Sequence, residues 1–348
     1  MMRVLMLLLA ALGGSIARAA DLPPQVFAAY HDSWSEPPTV SPAATSIARL
    51  PTSIDVVMLA FARPDLIYRN DLDLAGTGLE YRIDGATLRD AIALLRRRKP
   101  EIRVLLSVGG AVYRSWGRLN VEGLVGLVRD LGLDGIDWDY ELGNPDCHMG
   151  VGGKIACATD QNWQRLVMQG RRAFPRPALM TVSVWSVGAY GEGEFRQSRP
   201  RSRYTGSMLG VLRAAWATEI DLVSINAYDA GPDFSPMEAF RAYRAVWPGR
   251  LALGVEVRYA GGAGPFHTLT QAETLTRAVM RDPFGGMMLY ALLMRPPPDG
   301  GISPDGPALA EAVCRGMARA GCEALPSVSS PNGRPALAPS GQNRSSAP

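Results

Sequence analysis

The stretch Leu133-Asp134-Gly135-Ile136-Asp137-Trp138-Asp139-Tyr140-Glu141 decides how the rest of this chain is read. From Asp137 onward carboxylates recur at every second position, with bulky Ile136, Trp138 and Tyr140 among them. A period of two belongs to a β-strand, whose successive side chains point to opposite faces, so the acids share one face and Trp138 packs on the other. Neighbouring acids lie ~6.5–7 Å apart along such a strand, within reach of one another's charge. Like charges held that close raise at least one pKa, and the set is expected to hold a proton that moves among its members. Clustered carboxylates also serve calcium or magnesium, but those ions take oxygen ligands from a turned, flexible backbone, so no metal is expected here.

Working outward, short β-branched or apolar runs recur at 26–30, 54–62, 102–108, 135–140, 179–185, 222–228, 251–257 and 286–292. Between them lie amphipathic segments with helix-start signals. Asp84 precedes the periodicity of Leu88, Ile92 and Leu95, and Ser235-Pro236-Met237-Glu238 combines an N-cap, an N1 proline and an N3 glutamate. Thr270 and Glu273 have capping-box spacing, and Asn120 and Asp160 are the expected caps of two more helices. Strands alternating with helices, without hairpin signals, predict an α/β fold of parallel strands joined by crossovers, and eight of them close into a (β/α)8 TIM barrel. An open doubly wound sheet is the alternative, but the glycine-rich fingerprint expected after its first strand is absent. Barrel enzymes carry their chemistry at the C-terminal ends of the strands, which makes Glu141 the expected general acid. Asp139 lies directly behind it. Asp137 sits deeper and needs hydrogen-bond donors, for which Tyr30 and Ser107 are the candidates.

A chain of 348 residues suffices for one such barrel, which takes ~250 residues. Apolar residues at 47% supply a core, and a net charge of +3 without a long basic run speaks against nucleic acid as partner. Residues 1–20 show an early Arg3, an apolar run from 4 to 12 and small residues up to Ala19-Ala20, the order of a signal peptide. The run is shorter than the ~20 residues of a spanning helix, so a secreted or periplasmic protein without a membrane anchor is expected. Export lets the four cysteines pair; of three possible pairings, nearness in sequence favours Cys147 with Cys157 and Cys314 with Cys322. The folded domain is expected to span 21–325. The Ser-, Pro-, Gly- and Ala-rich segment 326–348 reads as a disordered tail, and the Gly- and Arg-rich segment 188–204 as a long loop on the rim of the active face.

With these elements placed, Asp134, Asp137, Asp139 and Glu141 spell DxxDxDxE, and the chain resembles glycoside hydrolase family 18, the chitinases and endo-β-N-acetylglucosaminidases. Ser107-Val108-Gly109-Gly110 resembles the family's SxGG at the third strand, and Tyr228-Asp229 its Tyr-Asp at the sixth. Gly285-Gly286-Met287-Met288 resembles the Gly-Gly opening of its eighth strand, and Asn162-Trp163 its Asn-aromatic pair. The likeness runs from about Gln25 to Cys314. It implies a secreted retaining glycosidase that cuts β-1,4 bonds next to N-acetylglucosamine, with the substrate supplying its own nucleophile. In that chemistry Glu141 protonates the glycosidic oxygen, Asp139 orients the acetamido group, Tyr228 holds its carbonyl, and Asp137 completes the catalytic set. Tyr30, Ser107, Gly110, Trp185, Asn226, Asp229 and Tyr290 are implied to line the substrate site, and Asp134 to be a structural member of the motif. The implied partner is an N-acetylglucosamine-containing oligo- or polysaccharide. No cofactor is implied, and a monomer is expected.

The chain departs from the family pattern at three positions. Asn226 stands where Met or Gln is frequent, Tyr140 where many members have Trp, and Tyr290 where a tryptophan usually forms the floor under the reacting sugar. Tyrosine keeps an aromatic face but a smaller one. The stretch after Val255 is too short for the small α+β insertion of many processive members, which implies a shallow cleft and endo cleavage of soluble or short glycans. The same motif fits release of N-linked oligosaccharides or trimming of peptidoglycan. A glycan-binding protein without hydrolysis is the alternative on the same barrel, although that usually goes with loss of an acid, and all four are present. Trp34 and Trp185, at strand ends, are candidate sugar platforms, while Trp163, Trp216 and Trp247 read as helix packing. For Glu256 and Arg258 substrate contact and an ion pair are both open.

Overall fold

The structure, a computed structural model, describes residues 22–141, 143–298 and 304–322. The expected signal peptide and C-terminal tail lie outside the described residues. In chain order the strands are β1 (Phe27–Asp32), β2 (Val56–Ala62), β3 (Arg103–Gly109), β4 (Gly135–Asp139), β5 (Cys147–Met149), β6 (Ile155–Cys157), β7 (Leu179–Trp185), β8 (Leu222–Asn226), β9 (Leu251–Glu256) and β10 (Gly285–Tyr290). All but β5 and β6 form one closed parallel barrel in the order β1-β2-β3-β4-β7-β8-β9-β10. The expected eight strands and their parallel sense are therefore present, with ends displaced by a few residues. The sixth barrel strand stops at Asn226, so Tyr228 stands just beyond it, and the last stops at Tyr290.

Antiparallel β5 and β6 form a hairpin that the sequence reading missed. Each strand has only three residues, too few for a visible alternation, and the Gly150-Val151-Gly152-Gly153 turn was the available signal. A Cys147–Cys157 disulfide closes this hairpin, and Cys314–Cys322 ties the last helix to the turn that follows it, so both favoured pairings form.

The crossovers are α1 (Gly85–Arg98), α2 (Val121–Asp130), α3 (Asp160–Ala173), α4 (Leu209–Arg213), α5 (Pro236–Arg244), α6 (Leu269–Val279) and α7 (Gly306–Gly316). Asp84, Asn120 and Ser235 cap α1, α2 and α5 through their side chains. Two expectations are corrected. The capping box of α6 is made by Thr268 and Gln271, not Thr270 and Glu273, because Thr268 is the last extended residue before the first turn. Thr159, not Asp160, is the N-cap of α3; Asp160 opens the helix and its carboxylate accepts the Cys157 amide at 3.0 Å. The crossover from β7 to β8 is cut to the five-residue α4 plus a 3-10 turn, because most of that connection is spent on the loop after Trp185.

Acids are treated differently at the two ends of the barrel. At the N-terminal end Asp55, Asp134 and Asp221 each accept a backbone amide from a neighbouring strand, at 2.8 Å from Phe27, Val104 and Met180 respectively. Each is also paired with a cation: Lys99 and Arg319, Arg96, and Arg171 with Arg176. These acids neutralise charge and stitch strand starts together. Asp134 belongs to this set, which gives the first acid of the motif a structural position far from the other three. On the outer face of β4, fully buried Trp138 packs against α3, where a Cβ at Gly170 would lie 2.9 Å from the indole.

Candidate active site

At the other end of the barrel the acids converge, and among the described residues none of Asp137, Asp139 and Glu141 forms an ion pair. Asp137 is fully buried and meets three donors: Ser107 Oγ at 2.7 Å and Tyr30 OH at 3.2 Å reach Oδ2, and Thr181 Oγ1 at 2.5 Å reaches Oδ1. Burial pushes its pKa up, and the three hydroxyls pull against that shift. Tyr30 also shares a hydrogen bond with Ser183. Thr181 was not foreseen; its place directly beside Asp137 in the β4–β7 register is set by strand pairing, which no local pattern encodes.

Two residues further along β4, Asp139 is 4% exposed, and its Oδ1 has no hydrogen-bond partner among the described residues. Burial and then the charges of Glu141 and Asp137 hold its pKa well above the carboxylate range, while a hydrogen bond from Asn226 works the other way. Glu141, just past the strand, is half-buried. Its pKa is pushed up to about 7 by burial first and the Asp229 carboxylate second, against the lowering effects of Arg114 and of a hydrogen bond with Asp139. Asp139 and Glu141 are thus both held above the ordinary carboxylate range, the direction expected of like charges brought together away from water.

Glycine brings β3 close enough to frame this pair. Gly109 has φ +112 and sits beside Asp139 in register, where a Cβ would strike the Asp139 carbonyl and the Trp116 ring. Gly110, at φ +68, donates its amide to the Asp139 carbonyl at 2.9 Å and lies against the Phe61 ring. Gly110 is thus a backbone brace for Asp139, and its place at the site follows from that brace.

From β8, Tyr228 OH donates to Asn226 Oδ1 at 3.1 Å, leaving the Asn226 amide for Asp139. Gly254 on β9 makes the space, since a Cβ there would lie 3.0 Å from the Tyr228 ring. Asp229 takes the left-handed φ of +53 and is held by the Tyr259 hydroxyl and by the Ala263 amide at 2.8 Å.

Below these groups the aromatic rings form a floor. Tyr290 stacks obliquely on Tyr228 at 6.0 Å and on Phe61 at 6.3 Å, and meets Tyr30 edge-on at 5.5 Å. Trp34 lies over Phe61 at 6.2 Å. Phe61 was missed because it reads as one more apolar residue of β2, and only the barrel's closure turns that strand end toward Tyr290. Tyr140 is gripped on the outside by Trp116 and Trp163, with Asn162 at its hydroxyl, so the Asn162-Trp163 pair supports the strand end that carries Glu141. Trp163 and Trp247 are buried and Trp216 is half-buried against the core.

Trp185 is placed differently from the other candidates. It pairs in register with Asn226, yet its ring is stacked at 3.8 Å on Tyr204 from the following loop, and its carbonyl accepts Tyr243 OH at 2.5 Å. Glu256, at the end of β9 beside Tyr290, is 2% exposed, and its carboxyl meets a hydrogen bond from the Asp229 backbone. Burial followed by the Asp229 charge raises its pKa well above the usual range, while the backbone hydrogen bond works the other way.

No protein-family model matches the chain. A chitinase of Plasmodium falciparum is 39% identical over 101 residues, a match covering 26% of this chain and 26% of that relative. Among solved structures, a family 18 chitinase from Pseudoalteromonas aurantia superimposes with a TM-score of 0.59 at 18% identity, covering 84% of this chain and all of that one. A Group IV chitinase from Ostrinia furnacalis, solved in complex with allosamidin, gives 0.53 at 13% identity over 77% of this chain and 92% of its own. The chain therefore has the barrel fold of the solved family 18 chitinases.

Proposed function

We propose that this protein is a family 18 glycosidase that cuts β-1,4 bonds beside N-acetylglucosamine, in chitin oligomers or related glycans, with retention of configuration. The observation that carries the reading is the juxtaposition of Asp139 and Glu141, both with raised pKa, at the end of the barrel where Tyr228 is hydrogen-bonded to Asn226 above an aromatic floor. When an N-acetylated sugar enters, its acetamido N–H donates to Asp139 and favours the ionised form there, which leaves the proton on Glu141. Glu141 delivers that proton to the glycosidic oxygen as the C1–O bond breaks. The acetamido carbonyl oxygen forms the new bond to C1, giving an oxazolinium ion whose positive charge Asp139 stabilises and whose oxygen Tyr228 positions. Glu141, now a carboxylate, takes a proton from the water that attacks C1 and reopens the ring, and is thereby restored.

Export fits two disulfides and the absence of any helix, among the described residues, long and apolar enough to cross a membrane. The direct test is release of the aryl group from an aryl N,N′-diacetylchitobioside by the purified protein. Glu141→Gln abolishes release and keeps chitotetraose binding if the reading is right. A wild-type protein that binds chitotetraose without turnover overturns it.

A further inference from the structure

Barrel order sets the loop after β7 between two parts of the site: β7 pairs with β4, which leads to Glu141, and with β8, which leads to Tyr228 and Asp229. That loop carries Arg196, Arg199, Arg201 and Arg203, all exposed, and no acid among them. None of the four forms an ion pair among the described residues, whereas at the base of the barrel the arginines beside Asp55, Asp134 and Asp221 are all paired. Crowding four like charges into eight residues adds mutual repulsion, and the contacts these side chains make, Arg203 over Tyr204 and Arg201 to the Arg196 carbonyl, stay within the loop.

The backbone beneath these arginines is fixed. Ser198 donates to Glu238 on α5 at 2.6 Å, Tyr204 stacks on Trp185, and Arg203 lies over the Tyr204 ring at 5.1 Å. At the loop's near end, Glu192 binds Arg213 and Lys154 and accepts the Ile155 amide, which ties the loop to the disulfide-closed hairpin. Guanidinium groups on an anchored backbone make a good rim for carboxylates, which they bind through paired N–H donors. An uncharged chitin chain offers them hydroxyl and carbonyl acceptors but no opposite charge.

We propose that the glycan taken by this site is anionic: a chain of N-acetylated amino sugars bearing carboxylates close to the bond that is cut, engaged by the Arg196–Arg203 strip. This rests on the glycosidase reading of the same site. The test compares two probes, chitotetraose and a tetrasaccharide of alternating N-acetylglucosamine and its 3-O-lactyl ether, whose carboxylates are the main difference. Binding to Glu141→Gln protein is measured by calorimetry in low salt, so that turnover is not needed. The expected result is affinity for the anionic probe about tenfold or more above that for the neutral one, a ratio that shrinks as salt rises. In the added Arg196→Gln, Arg199→Gln, Arg201→Gln, Arg203→Gln background the ratio falls toward one, with the melting temperature unchanged or raised. Equal affinities in the starting protein, or a ratio that survives the four substitutions, overturn the proposal while wild-type cleavage of chitotetraose leaves the glycosidase reading intact. Binding of neither probe overturns both.

Discussion

Asp229 and Glu141 come from different strands, yet the Asp229 carboxylate is the strongest charge acting on Glu141, second only to burial in raising its pKa to about 7. A general acid must hold its proton, so activity is expected to fall as pH rises through about 7. Asp229→Asn removes the repulsion and moves this alkaline limb to lower pH. Arg114→Ala removes an opposing positive charge and moves it to higher pH. Profiles of kcat/KM against pH for the three proteins check both directions, and a shift of the same sign in both variants contradicts the assignment.

Asp139→Asn and Tyr228→Phe test the acetamido contacts. Each removes one group that acts where charge develops, and a loss of about 10²–10³ in kcat with a smaller change in KM is the expected outcome. Steady-state kinetics on the aryl chitobioside gives the split. A change confined to KM would make these residues binders of the ground state alone.

Thr181→Val deprives Asp137 Oδ1 of its donor in a fully buried place. The cost is about 1–3 kcal/mol of stability, read from urea denaturation. Tyr30→Phe leaves Oδ2 the shorter contact from Ser107 and should cost less.

Glu256→Met replaces a deeply buried acid by an apolar chain of similar length. Thermal melting should rise by a few degrees, since the desolvation cost of the carboxyl disappears. A lower melting temperature would show that the hydrogen bond from the Asp229 backbone outweighs that cost.

Stability itself should depend on pH. Asp32 is raised to about 6, mainly by burial, and Glu141 to about 7, so in the acid range both hold protons in the folded chain that the unfolded chain has already lost. Folded protein then binds more protons than unfolded between the ordinary carboxyl range and pH about 7, and stability from these two groups declines across that window as pH rises. Melts between pH 4.5 and 7.5 of wild type and Asp32→Asn measure the Asp32 share.

The sequence by itself determined the eight strands, their parallel sense, the shared face of the three acids and the place of Glu141 at the active end, because period-two alternation and helix caps are local properties of the chain. It also led to the correct disulfide pairs, since each closes a short loop. Tertiary structure alone decided which residues meet across strands: Thr181 beside Asp137, Phe61 under Tyr290, Asp229 facing Glu141, and Trp185 turned to Tyr204. Those relations depend on the register and closure of the barrel, which are fixed by pairing between segments far apart in sequence. The same closure separates Asp134, paired with Arg96 at the base, from Asp137, Asp139 and Glu141, whose pKa values are raised first of all by burial.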